Sequence, residues 1–276
     1  MSAFFGSPGL LRVLRSIPLS EFEALVDDLE KEMKEAGITA PVNQFTSEHL
    51  KKYLEDNKIW LLEDDRHKPR FSPKFPKIVL TYMWQATTLR EIVDILKQFA
   101  RDHGLDMDVL CWVDIIMNKQ FDGAIDQALT EAKDVYTGSD IHLAIIGVAP
   151  YPLYRDGKVT VIKGKQVVSE HFPWDRCWCS AEIYMRDVVG CGIHSKSDTY
   201  FVVQPRYRAR VISELTALIE KGRDYHDCLE GQDAAAIQKS ILSLGTKDEF
   251  NLKMQSKILK IRQTLSTVRS RPQHSI

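Results

Sequence analysis

The chain is short of paired cysteines. Its five cysteines (Cys111, Cys177, Cys179, Cys191 and Cys228) are odd in number, and none stand in Cys-x-x-Cys spacing. That pattern argues against a disulfide framework or a zinc site and points to reduced thiols in a cytoplasmic compartment. No apolar run approaches the roughly 20 residues of a membrane-spanning helix. An excess of charge of one sign is missing too. The formal net charge is -1, so no global basic field draws the chain to nucleic acid or to an anionic membrane. Residues 1–18 carry Arg12 and Arg15 but no secretory cleavage pattern, so no signal peptide is expected. Repeats and low-complexity blocks are also lacking. What is present is ordinary globular composition, 44% hydrophobic and 27% charged, over 276 residues. That length accommodates one large domain or a core domain with an appendage.

Along the chain, Ser20-Glu21-Phe22-Glu23 has the spacing of a capping box, followed by a helical stripe of Phe22, Leu25, Val26, Leu29 and Met33 that Gly37 ends. Thr46 or Ser47 opens a second helix. Residues 71–76, with two prolines, read as a linker that closes a helical N-terminal cap over residues 1–70. From Lys77 the pattern alternates. Strands are expected at 78–82, 109–113 and 141–146, and helices after Thr87 or Thr88 and along Ile125, Leu129, Ala132 and Val135. Residues 148–173 break the alternation with a β-hairpin, a candidate flap or plain edge insertion. Tyr200 to Val203 supplies another strand, and residues 206–276 read as a helical extension with a frayed tail from Ser270. The sum predicts an α/β fold, with a flavodoxin-like parallel sheet and covering helices over 77–205.

The densest stretch chemically runs from Trp174 to Tyr184. It holds Trp174, Arg176, Trp178, Glu182 and Tyr184 within eleven residues. Ser180, Ala181 and Ile183 to Val189 read as a helix ended by Gly190. Trp178 and Glu182, four apart, would share a face, and a carboxylate beside an indole is partly desolvated, which raises its pKa. An amphipathic core helix with Glu182 paired to Arg176 or solvent explains the same spacing. In an open parallel sheet, ligands sit at the carboxyl ends of the strands. Tyr82-Met83-Trp84-Gln85, then Asp114 with Asn118 and Gln120, then the Trp174 segment all fall there.

These boxes resemble the Toll/interleukin-1 receptor (TIR) superfamily, including its heterokaryon-incompatibility (HET) branch. Val79-Leu80-Thr81-Tyr82 is similar to the first-strand box of plant TIR domains. Trp112-Val113-Asp114 followed by Asn118-Lys119-Gln120 is similar to the second HET box, and Trp174-x-Arg176-x-Trp178 with Glu182 to the third. Trp178-Cys179-x-x-Glu182 also matches the plant box whose glutamate is catalytic in NAD cleavage. The resemblance covers about residues 77–205. The hairpin is longer than the usual connection, and the second box lacks the acidic-glycine turn of plant TIR domains.

The resemblance implies a TIR-like enzyme that cleaves or cyclises NAD, such as an immune or stress effector, with Glu182 as the catalytic residue. The substrate-binding candidates are Tyr82, Trp84, Asp114, Arg176 and Trp178. NAD or a related nucleotide would be the substrate, with no cofactor and no metal. The expected partner is a second copy of the chain, through 207–222 and 248–269; nucleic acid and membranes are not expected. A glutamate can stabilise the oxocarbenium-like state formed when the nicotinamide–ribose bond breaks. Arg176 could instead hold a helix end, Asp114 could cap a loop, and Asn118 and Gln120 could be turn residues. Three other functions remain open: a self-associating signalling module, a nucleoside deoxyribosyltransferase-like enzyme, and a Cys179 nucleophile with His142 or His171 as base.

Overall fold

In a computed structural model the described residues are 15–40, 44–120, 125–155, 158–189, 199–231 and 233–267. Gly190 as a helix end, Cys191 and the expected tail from Ser270 lie outside them. The N-terminal part holds strand β1 (Ile17–Pro18) and helices α1 (Leu19–Glu35) and α2 (Ser47–Asn57). The middle follows as β2 (Ile78–Thr81), α3 (Leu89–Asp102), β3 (Leu110–Trp112), α4 (Asp114–Met117), α5 (Ile125–Gly138) and β4 (Ile141–Ile146). A ribbon excursion comes next, made of β5 (Ala149–Pro152), β6 (Tyr154–Arg155), β7 (Lys158–Val159), β8 (Val161–Ile162), β9 (Lys165–Gln166) and β10 (Val168–His171). The chain then runs through α6 (Cys177–Val189), β11 (Thr199–Val203), α7 (Arg208–Lys221), α8 (Ala234–Leu244) and α9 (Lys247–Thr267).

The protein is mixed α/β. Its main sheet has the order β1-β3-β2-β4-β11, and only β1 runs antiparallel to its neighbour. All four residues of β2 and the last five of β4 are buried, as continuous apolar strands covered on both faces must be. Chain order goes from β2 outward to β3, then back across β2 to β4 and β11. The order therefore reverses between β2 and β4, which places a crevice at their carboxyl ends.

The expected start of α1 is corrected. The helix begins at Leu19, with Pro18 at the cap, and Ser20 does not cap it. Its first amides donate to the carbonyls of Val109 (3.0 Å, from Leu19) and Met107 (2.9 Å, from Ser20), so neighbouring backbone satisfies them. Ser20 turns to Asp108, and Glu23 to Lys97. By contrast Thr88 does cap α3, in a reciprocal box with Glu91. Residues 71–76 carry a buried Phe71, and Ser72 exchanges backbone bonds with Ser16. Helix α1 packs on α3, and one contiguous core takes side chains from Leu25, Val79, Ile92, Leu143, Leu215 and Ile258.

The single expected hairpin is a stack of short ribbons. β8 and β9 turn at Lys163-Gly164, whose φ values of 50° and 74° suit the left-handed turn, and β5 pairs with β10 at the base. No helix among the described residues is long and apolar enough to cross a membrane.

Candidate functional site

Helix α6 starts three residues earlier than its sequence pattern suggests, because the short turn Pro173–Asp175 feeds directly into it. Phe172 and Trp174 stack at 5.0 Å, and the Phe172 amide donates to Asp175 Oδ2 at 2.7 Å. Further along, the buried Arg186 donates to the carbonyls of Tyr136 (2.9 Å) in the last turn of α5 and of Ser139 and Asp140 (2.8 Å) just beyond it. A guanidinium at a helix carboxyl end suits the helix dipole and the carbonyls left open there. This clamp fixes α6 against α5 one turn after Glu182.

Glu182 is 7% exposed. Burial pushes its pKa well above the ordinary value, and the charge of Asp114 pushes it further. Tyr136 has one hydroxyl proton and gives it to the Leu80 carbonyl, while Thr81 donates to Tyr136 at 3.4 Å. Asp114 opens α4 just past the end of β3. Burial raises its carboxyl to about 6 against the donors Trp84 and Tyr82, which lower it. The Trp84 indole donates to Asp114 Oδ2 at 2.8 Å, whereas Asp114 Oδ1 is buried without a partner. Tyr82 lies 2.9 Å from Ser47 Oγ and is itself held neutral by burial and then by Asp114.

Four of the six expected site residues therefore meet: Tyr82, Trp84, Asp114 and Glu182, at the carboxyl ends of β2 and β3. Two face elsewhere. The Trp178 indole donates to Asp233 Oδ2 at 2.9 Å, tying α6 to the start of α8. The Arg176 guanidinium lies 4.0 Å above the Tyr151 ring, with Nη1 buried and unpartnered, so it does not pair with Glu182. Tyr136 lies beside the pair without having been singled out, whereas Thr81 stood out only within the first-strand box Val79-Leu80-Thr81-Tyr82. Asn118 and Gln120 form a turn, with the Gln120 amide donating to the carbonyls of Ile115 and Asn118.

The cysteine–histidine alternative is corrected. Cys179 Sγ points at the Tyr82 carbonyl (3.5 Å), and burial raises its thiol pKa well above the ordinary value. His142 sits between Thr81 (2.9 Å) and Thr199 (3.2 Å), and burial holds it neutral. His171 is held by Ser169 (2.6 Å) and faces Glu230 at 3.3 Å. Both contacts use His171 Nε2, so the three do not form a relay through the ring.

Of two surface cavities formed by the described residues, Glu182 lines neither. One of about 540 Å³ is walled by Gln85, Ala86, Arg206 and Tyr207; the other, of about 470 Å³, lies along β11 between α3 and α9. No protein-family model, curated protein or solved structure matches the chain.

Proposed function

We propose that the protein cleaves the nicotinamide–ribose bond of NAD, with Glu182 as the catalytic residue and Asp114, Tyr82 and Trp84 around it. The observation that carries this is the meeting of two buried carboxyls and two aromatic side chains at the strand ends. The strand order supports a flavodoxin-like core, with β1 added on the β3 side. Burial raises both carboxyls, and the charge of Asp114 raises Glu182 further, so the pair resists being doubly ionised. A cationic nicotinamide ring entering beside the pair stabilises the ionised form of Glu182. The bond electrons leave with neutral nicotinamide, and the Glu182 carboxylate stabilises the ribosyl cation until water or another hydroxyl adds.

The test is to incubate the purified chain separately with NAD and with a deoxynucleoside and follow products by chromatography. Release of nicotinamide from NAD supports the reading. Base release from the deoxynucleoside alone favours the deoxyribosyltransferase-like alternative, and no product from either leaves a binding or signalling module.

A self-associating module has one observation in its favour. Leu252 and Leu259 on α9 are seven residues apart, on one stripe, and are 66% and 41% exposed. Assembly through that stripe is compatible with the enzyme or can stand alone. Light scattering of Leu252→Glu against wild type measures whether the stripe joins two copies.

A further inference from the structure

The excursion between β4 and α6 ends in a bare finger. Its stem is the pairing of β5 with β10, from Ala149 opposite His171 to Pro152 opposite Val168. Above the stem three backbone bonds close a triangle. Leu153 donates to the Val167 carbonyl (2.8 Å), Val167 to Thr160 (2.9 Å) and Thr160 to Leu153 (2.8 Å). Two ribbons leave that junction, β6 with β7 and β8 with β9, and each is a two-stranded sheet of its own. The junction satisfies its own amides, so the root of the finger is fixed by the backbone. In the β8–β9 finger all six residues from Val161 to Gln166 are exposed.

What the finger shows to solvent is aliphatic and basic. Val161 and Ile162 are 56% and 59% exposed, and Val168 on the stem is 54% exposed. Consecutive residues of a strand point to opposite faces, so Val161 shares one face with Gln166 and Ile162 shares the other with Lys165. Lys158, Lys163 and Lys165 stand around them, all exposed, and none is ion-paired among the described residues. From Lys158 to Ser169 the sequence has no carboxylate. Glu170, the first one after them, is already paired with Arg210. The net charge of -1 for the whole chain hides this cluster, because the balancing carboxylates lie outside the stretch.

We propose that this finger docks the protein on an anionic lipid surface. Val161 and Ile162 enter the boundary between headgroups and acyl chains, and the three lysines meet the headgroup phosphates and carboxylates around them. Apolar side chains on both faces of a projecting tip fit a medium that surrounds the tip, whereas a protein partner would cover one face. The lysine stems lie along the apolar layer while their ammonium groups stay among the headgroups. Each lysine at such a surface strengthens binding about fivefold. A second copy would instead bring like charges together, which opposes pairing of the ribbon with itself. Valine and isoleucine also offer nucleic-acid bases no ring to stack on. The contact is peripheral and reversible, because a few lysines and two small side chains fall short of a permanent anchor.

The experiment is co-sedimentation of the full chain with vesicles of phosphatidylcholine alone and of phosphatidylcholine with about one-third phosphatidylserine. Wild type is expected to bind the anionic vesicles, to lose most of that binding in high salt, and to stay in solution with the neutral ones. Lys163→Gln combined with Lys165→Gln is expected to weaken binding at least about tenfold. Val161→Ser combined with Ile162→Ser keeps every lysine and is also expected to weaken it at least about tenfold. Both double variants should melt with wild type, since the altered side chains are exposed, and either one serves if the other fails to fold. The readout is lipid binding alone, so it stands whether or not NAD is cleaved. No binding of wild type to the anionic vesicles, equal binding to the neutral ones, or undiminished binding in either folded variant would overturn the proposal. So would light scattering that finds wild type dimeric and the serine variant monomeric, which would give the tip to a second copy.

Discussion

The two flanks of the sheet's carboxyl edge hold buried polar groups of opposite character. Beyond β2 and β3, Glu182 and Asp114 are buried carboxyls near enough for the charge of Asp114 to act on Glu182, with Tyr82 and Trp84 against Asp114, and Glu182 lines neither of the two cavities described above. Beyond β4 and β11, Gln204 is a neutral amide behind an open cavity whose charges are all paired. Burying a carboxylate beside another costs far more than burying an amide. The first flank therefore stores electrostatic free energy, which under the proposed function a cationic substrate would release, whereas the second holds only a neutral amide. The two flanks of one sheet edge thus differ in the charge of what they bury.

The largest effect that would break this contrast is on turnover. Glu182→Gln keeps size and most hydrogen bonding and removes the charge. NAD turnover should fall at least about a hundredfold, since one electrostatic group in a dry site is worth roughly 3 kcal/mol. Near-normal turnover in a folded variant would remove Glu182 from the chemistry.

The next effect is on stability. Both carboxyls have folded-state pKa values raised above those of the unfolded chain, so between about pH 4 and 6, and upward through the Glu182 pKa, the folded state holds more protons. Stability must then fall as pH rises through that window. Asp114→Asn and Glu182→Gln are each expected to melt above wild type at pH 8 and alongside it at pH 4, with each kcal/mol relieved worth about 2–4 °C. Scanning calorimetry across pH checks this, and a difference that grows toward acid would reverse the sign of the account.

A smaller change sharpens the role of Trp84. Its indole N–H lowers the Asp114 pKa, so Trp84→Phe should move the Asp114 titration above 6 and cost about 0.5–1.5 kcal/mol, the worth of one hydrogen bond. The same substitution at Trp178 should cost a similar amount of stability, because Trp178 is bonded to Asp233, yet leave the carboxyl titrations unmoved. Urea unfolding and carboxyl NMR on the two variants separate them.

Much of this was legible from residues alone. The strands Ile78–Thr81 and Ile141–Ile146 announce themselves as largely apolar runs broken only by Thr81 and His142, and the strand-end rule brought Tyr82, Trp84, Asp114 and Glu182 into one list. Strand β1 was not legible, because two residues carry no period and its pairing with Leu110 and Cys111 is long-range. Ser20 resembled a helix cap because sequence does not reveal that backbone carbonyls 87 to 90 residues away would supply acceptors. Trp178 does share a helix with Glu182, but its indole reaches Asp233, a partner set by how α8 packs on α6. Gln204 had no signal beyond standing between a strand and Pro205. Its unpaired amide exists only once Gly147 and Ala86 close around it.

The central claim is that Glu182 and Asp114 are a mutually strained buried pair, and side-chain carboxyl ¹³C NMR titration measures it most directly. The account predicts that Asp114 titrates near 6, that Glu182 titrates well above the ordinary glutamate value of 4.5, and that Asp114→Asn brings Glu182 down. Two carboxyls titrating independently near 4, with Glu182 unmoved by Asp114→Asn, would contradict it.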